Sequence, residues 1–151
     1  MERKTWVKPM TLVQKFEANE SVAACWGVAC NTGAANDYEI KNGFDEVYMW
    51  IPAANYKVEH TMDGCGNISN QYIIDDNPFD SVPPEMIEIS NGEHLPCTFT
   101  DESYNAITLT SVKDGQDIFW TTKRTVGSVG VVATWHHQGI ATIDPRHPNR
   151  S

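Results

Sequence analysis

The chain has 151 residues, enough for one domain with a substantial core, and 40% of them are hydrophobic, which excludes a disordered composition. Lys and Arg number 11 against 20 Asp and Glu, for a net charge of −9. With no basic run, a nucleic acid or an anionic membrane surface is not an expected partner, and no apolar stretch approaches the roughly 20 residues of a membrane span.

Residues 1–24 carry no glycine and begin with basic character. Gln14, Lys15, Glu17, Asn19 and Glu20 interrupt the apolar core that a secretory signal needs. Leu12, Val13, Phe16 and Val22 can share one side of an amphipathic helix. The segment reads either as an N-terminal helix docked on the core or as a removable leader ending in the small residues before Cys25. The predicted division is therefore a leader-like segment 1–24 and one globular domain, 25–151.

From Asn31 onward the signals are mostly β. The stretches 38–51, "YEIKNGFDEVYMWI", and 85–99, "EMIEISNGEHLPCTF", each set Asn-Gly between strand-like runs. Both residues of such a turn take positive φ, so the dipeptide predicts a hairpin. In the second hairpin Ile87, Ile89, Leu95, Cys97 and Phe99 are all odd-numbered, which predicts one shared buried face. Pro96 cannot donate to a ladder and predicts an edge strand. Further strands are predicted at 106–112, at 117–122 and between Ser128 and Ile143. The acidic loop 75–85 lacks the glycine turn of an EF-hand. A short helix is predicted over 64–74, where Ile68 and Tyr72 are spaced i, i+4 after two glycines. The expected fold is α+β: an antiparallel sheet of about five or six strands, one short central helix and an N-terminal helical head.

Four cysteines (Cys25, Cys30, Cys65 and Cys97) allow three disulfide pairings, and the sequence does not choose among them. There is no C-x-x-C pair, phosphate loop, H-E-x-x-H, G-x-S-x-G or G-x-G-x-x-G. Cys97, His94 and the pair His136–His137 have no zinc-family spacing, so neither a metal nor a cofactor is expected.

A cysteine–histidine arrangement remains. At the start of the predicted helix, free N–H groups and the helix dipole would favour the Cys65 thiolate and support an oxyanion. In "TWHHQGIAT" (134–142) alternation places His137 with the apolar odd positions, Trp135 among them, and His136 toward water. His137 is then the candidate base.

"GCGNISNQ" around Cys65, "VKDGQDIFW" (112–120) and "HQGI" (137–140) resemble the three motif strands of NlpC-type and CHAP cell-wall amidases. The resemblance implies a papain-like fold with Cys65 as nucleophile and His137 as base. It leaves only His147, near the end of the chain, to serve as the orienting third residue. Gly64 replaces the family's Asp, Ile68 its aromatic residue, and Gln116 splits its Gly-Asp pair. The head, with its Trp-Lys-Pro start and N-E-x-V-A-A-C segment, resembles small proteins of anaerobic gut Firmicutes. The expected function is an exported bacterial cysteine amidase or peptidase, at the cell surface or beyond it through a non-Sec leader, acting on cell-wall peptides or another amide substrate. The alternative is a non-catalytic, cysteine-stapled β-rich structural subunit or binding module. Oligomeric state is left open.

Overall fold

Asn91 and Gly92 take φ of +51° and +79°, so the dipeptide forms the primed turn that two antiparallel strands with right-handed twist require. This computed structural model describes residues 24–42, 59–75, 82–126 and 131–143. Their elements are β1 (Ala24–Cys30), α1 (Thr32–Asn42), a single 3-10 turn (Ile68–Asn70), β2 (Gln71–Asp75), β3 (Glu85–Ser90), β4 (Glu93–Thr100), β5 (Asp117–Val126) and β6 (Val131–Ile143). Each strand pairs antiparallel with the next, and β6 returns to β1, closing a six-stranded barrel.

The α+β, papain-like expectation is thereby corrected: the described residues are mostly β, with one short α-helix among them, and the sheet closes on itself. Closure also overturns the edge assignment for Pro96, because β4 pairs on both sides. Proline is tolerated there because the β4–β5 ladder begins only at the next residue, Cys97 opposite Thr122. Gly139 is where the barrel shuts. It sits opposite both Ile118 and Cys30, and a Cβ there would collide with the Ala29 carbonyl oxygen.

The β3–β4 register corrects the all-odd buried face. Glu88 lies opposite Leu95, so across this two-residue turn an even position shares its face with an odd one. Met86 and Glu88 point inward with Leu95, Cys97 and Phe99, while Ile87 and Ile89, opposite Pro96 and His94, take the other face.

Three further expectations change. Residues 38–42 end helix α1 rather than open a hairpin; Asn31 starts that helix by accepting from the Ala34 and Ala35 amides. Residues 106–112 form no strand beyond a bridge of Ala106 to Thr100. The predicted helix at 64–74 is a turn, one 3-10 turn and then β2. The proposed N-terminal helix and most of the leader-like segment, with His147, lie outside the described residues. Among the described residues no helix is long and apolar enough to cross a membrane.

Register and alternation sort the interior into two ends. Val28, Ile73, Met86, Phe99, Ile118 and Trp120 form the apolar end. One inward position further along the same strands stand Cys30, Gln71, Glu88, Cys97, Thr122 and, next to Gly139, His137. The segment leading into β2 lies over this second end.

Candidate metal centre

Cys30, His60, Cys65 and His137 each offer one ligand atom to a cluster whose atoms all lie within 4.8 Å of one another. All four residues are buried. Cys30 ends β1 and His137 points inward from β6. His60 and Cys65 come from the segment before β2, which is fixed by its own backbone. Asn36 on α1 clamps His60 from both sides, accepting from its N–H at 2.8 Å and donating to its carbonyl at 2.9 Å. The Gly64 and Gly66 amides fold back onto the Thr61 carbonyl at 3.1 and 2.9 Å, and Cys30 N–H donates to the Cys65 carbonyl at 2.9 Å. Gly66 is required, because a Cβ there would meet Met62 Cα at 2.8 Å.

The two sulfurs converge on one ring nitrogen: His60 Nδ1 lies 3.3 Å from Cys65 Sγ and 3.7 Å from Cys30 Sγ. On its far side, His60 Nε2 lies 3.9 Å from Glu39 Oε1, a buried carboxylate on α1. His137 is fixed by a proton count. The single Thr122 hydroxyl proton goes to Glu88 Oε2 at 3.3 Å, so the same oxygen accepts from His137 Nε2 at 2.8 Å. Glu88 Oε2 itself lies 3.4 Å from that nitrogen. A neutral ring protonated at Nε2 carries its lone pair on Nδ1. That atom is buried and has no hydrogen-bond partner among the described residues. Trp120 stacks on the His137 ring at 5.0 Å and His60 meets it edge-on at 4.7 Å, so the ring has little freedom to turn.

The electrostatics match a negative sulfur centre beside the His60 ring. A hydrogen bond from Cys30 holds the Cys65 thiol down to about 3, with help from His137 and His60 against the opposing effect of burial. The Cys30 thiol is pushed up, by that same bond and by burial. Burial disfavours the charged His60 ring, but Cys65 and Glu39 outweigh it and raise the ring to about 9. Glu39 is likewise disfavoured by burial and is still held low, first by its hydrogen bond with His136.

Of the residues singled out from the sequence, the structure brings Cys65 and His137 together. Cys65 sits in a turn and not at the start of an α-helix, so the expected helix-dipole activation is absent; neighbouring side chains supply it. His136 does not meet water. It is 2% exposed on the outer face of β6, where its backbone N–H and Nδ1 contact Glu39 Oε1 at 2.7 and 3.0 Å. Cys30 and His60 were not legible as site residues. The one available signal was local: His60 and Cys65 flank a glycine-rich turn in "HTMDGCG". His94 is exposed on β4 and takes no part, and Cys30, Cys65 and Cys97 are free thiols. A cavity of about 370 Å³ opens beside the cluster, lined among others by His60, Cys65, Glu88, Arg124, Trp135 and His137.

Comparison of the chain with protein-family models, curated proteins and solved structures gave no match.

Proposed function

We propose that this domain binds one thiolate-preferring transition-metal ion, zinc foremost, through Cys30, His60, Cys65 and His137. The observation that carries the reading is the orientation of the two histidines. Each turns one nitrogen toward a carboxylate, His60 to Glu39 and His137 to Glu88, and has the other nitrogen left for the cluster. Histidines that ligate metals are commonly held by an outer hydrogen bond that fixes the tautomer and raises the basicity of the inner nitrogen. His137 has that bond through Thr122, whereas Glu39, 3.9 Å from His60 Nε2, acts on His60 by charge. Two thiolates and two imidazoles make a donor set suited to tetrahedral zinc, which has no geometric demand of its own. Four protein ligands fill the coordination sphere, so the ion's role is structural: it ties the segment 59–70 to β1 and β6 and completes the polar end of the barrel.

The test is metal content. Full-length protein purified without chelator is expected to carry one zinc per chain, and cobalt substituted for it to give tetrahedral d–d and thiolate charge-transfer bands. Substoichiometric zinc that a buffered zinc solution cannot raise would overturn the reading.

A second reading is favoured by one observation, the continuous line from Cys65 to His60 to Glu39 beside the cavity. Here Cys65 is a nucleophile for amide cleavage, with His60 rather than His137 as its base. Selective alkylation of Cys65 that zinc does not slow would support it, whereas zinc protection of both Cys30 and Cys65 supports the metal centre.

A further inference from the structure

Cys65 lines the cavity that His60, Glu88 and His137 also line, whereas Cys30 borders a separate one of about 350 Å³, between β1, β5 and β6, that no other member of the cluster lines. Behind Cys65, the two cysteines are joined backbone to backbone by the 2.9 Å bond from Cys30 N–H to the Cys65 carbonyl. The two sulfurs lie within 4.8 Å of one another, so side-chain rotation alone has little distance to close to reach the S–S bond length of about 2.05 Å. Their sulfurs already share one contact, His60 Nδ1.

We infer that Cys65 and Cys30 form an ordered oxidisable pair: Cys65 reacts with a hydroperoxide entering through the cavity, Cys30 resolves it to a disulfide, and the metal ion is released. The release rests on the metal centre proposed above; the order of oxidation rests on the geometry alone.

In the first step the Cys65 thiolate attacks one peroxide oxygen. The O–O bond breaks, an S–O bond forms, and hydroxide leaves, giving Cys65 sulfenic acid. In the second, the Cys30 thiolate attacks that sulfur. The S–S bond forms, the S–O bond breaks and a second hydroxide leaves. Two thiolates have then lost two electrons to one peroxide, and two protons from solvent convert the hydroxides to water. The ion retains only His60 and His137, which bind zinc far less strongly than the full set. The other described thiol stands apart: Cys97 on β4 points at the Leu95 carbonyl, 3.7 Å away, and is outside the cluster.

The experiment treats zinc-loaded, full-length protein with hydrogen peroxide, follows released zinc with a chromogenic chelator, and maps all four cysteines by mass spectrometry. One zinc is expected to leave per Cys30–Cys65 disulfide, and dithiothreitol is expected to restore both thiols and zinc binding. Dimedone added early in the reaction should label Cys65 and not Cys30, and the label should accumulate in Cys30→Ser. If that variant does not fold, the early dimedone label on the native chain decides the order. A disulfide from Cys65 to Cys25 or Cys97, a first label on Cys30, or a cluster left reduced with its zinc under excess peroxide would overturn the inference. A chain that takes up no zinc defeats the metal reading separately. The same mapping then applies to the metal-free protein, where a Cys30–Cys65 bond upholds the order of oxidation and any other pairing ends it.

Discussion

At one end of the barrel Val28, Ile73, Met86, Phe99 and Ile118 meet side chain to side chain, with the buried Asp75 at the end of β2 beyond them. At the other end two thiols, two imidazoles and the carboxylate of Glu88 are buried together, with Glu39 reaching in from α1. The apolar end is stabilised chiefly by burial, at roughly 25 cal/mol per Å² removed from water. The polar end is not, because buried ionisable groups destabilise unless partners satisfy them. Hydrogen bonds settle Glu88, Thr122 and the outer side of His137, but leave the sulfurs and His137 Nδ1 facing one another, with His60 Nε2 held only by the charge of Glu39. An ion completes that end, so the two ends should respond differently to the same perturbations.

The largest expected effect is on the polar end. Structural zinc sites contribute on the order of 10 kcal/mol in small peptides, and even part of that exceeds any single core truncation. Calorimetry with and without EDTA should show a large fall in Tm for the native chain, and almost none for Cys65→Ser, which has lost the site beforehand. Identical melts of the native chain with and without EDTA would break the distinction between the ends.

Truncation at the apolar end sharpens it. Ile73 is 0% exposed, and Ile73→Ala should destabilise by about 2–5 kcal/mol through lost burial and a residual cavity. Zinc stoichiometry should stay at one per chain. Urea unfolding and metal analysis on the same sample test both halves, and loss of zinc in this variant would mean that the ends are not separate.

The adjacent histidines bring the comparison down to one peptide unit. His137 belongs to the polar interior, whereas His136 bonds Glu39 outside the barrel and packs against Tyr38 and Tyr104 at 5.0 and 4.8 Å. His136→Ala should lower stability by about 1–3 kcal/mol, since it leaves a buried carboxylate short of a partner. Zinc should remain bound. His137→Ala should abolish zinc binding, and the two variants compared by metal analysis and denaturation separate the faces of β6.

How far the sequence foretold this arrangement depends on the range of the interaction. Asn91–Gly92 was legible because the turn is chosen by two residues' own φ preferences. The inward orientation of His137 was legible too, because alternation along one strand is local. The face that Ile87 and Ile89 share was misjudged, since parity across a hairpin depends on the loop length as well as the strand pattern. Closure of the barrel, the helical state of residues 38–42 and the burial of His136 depend on contacts over long separations, such as Glu39 to His136. No periodicity encodes those. Cys30 and His60 were missed for the same reason: Cys30 reaches the cluster only because Gly139 lets β1 close on β6, and His60 only because Asn36 on α1 holds it.

The smallest effect concerns the loop between β4 and β5, which belongs to neither end and should therefore move alone. Tyr104 takes φ of +61°, a left-handed conformation that favours glycine, and is held there by Asp101. One oxygen of Asp101 accepts from the Ser103 and Asn105 amides at 2.8 and 2.9 Å, and the other accepts from the Asn105 side chain at 3.0 Å. These bonds, the Asn105 side chain's first, hold the Asp101 carboxyl below its ordinary range. A lowered folded-state value means that the contribution is present above the unfolded value, about 3.9, and is lost as pH falls through the folded one. The turn should stay closed at pH 5 and open only in stronger acid, and Asp101→Ala should open it at every pH. Carboxyl NMR titration of Asp101, read with the amide shifts of Ser103 and Asn105, follows the opening directly. Both perturbations should leave the Ile73 and Met86 resonances unchanged where the barrel stays folded. Core shifts that track the Asp101 titration would show instead that the loop is coupled to the barrel through Tyr104 and His136.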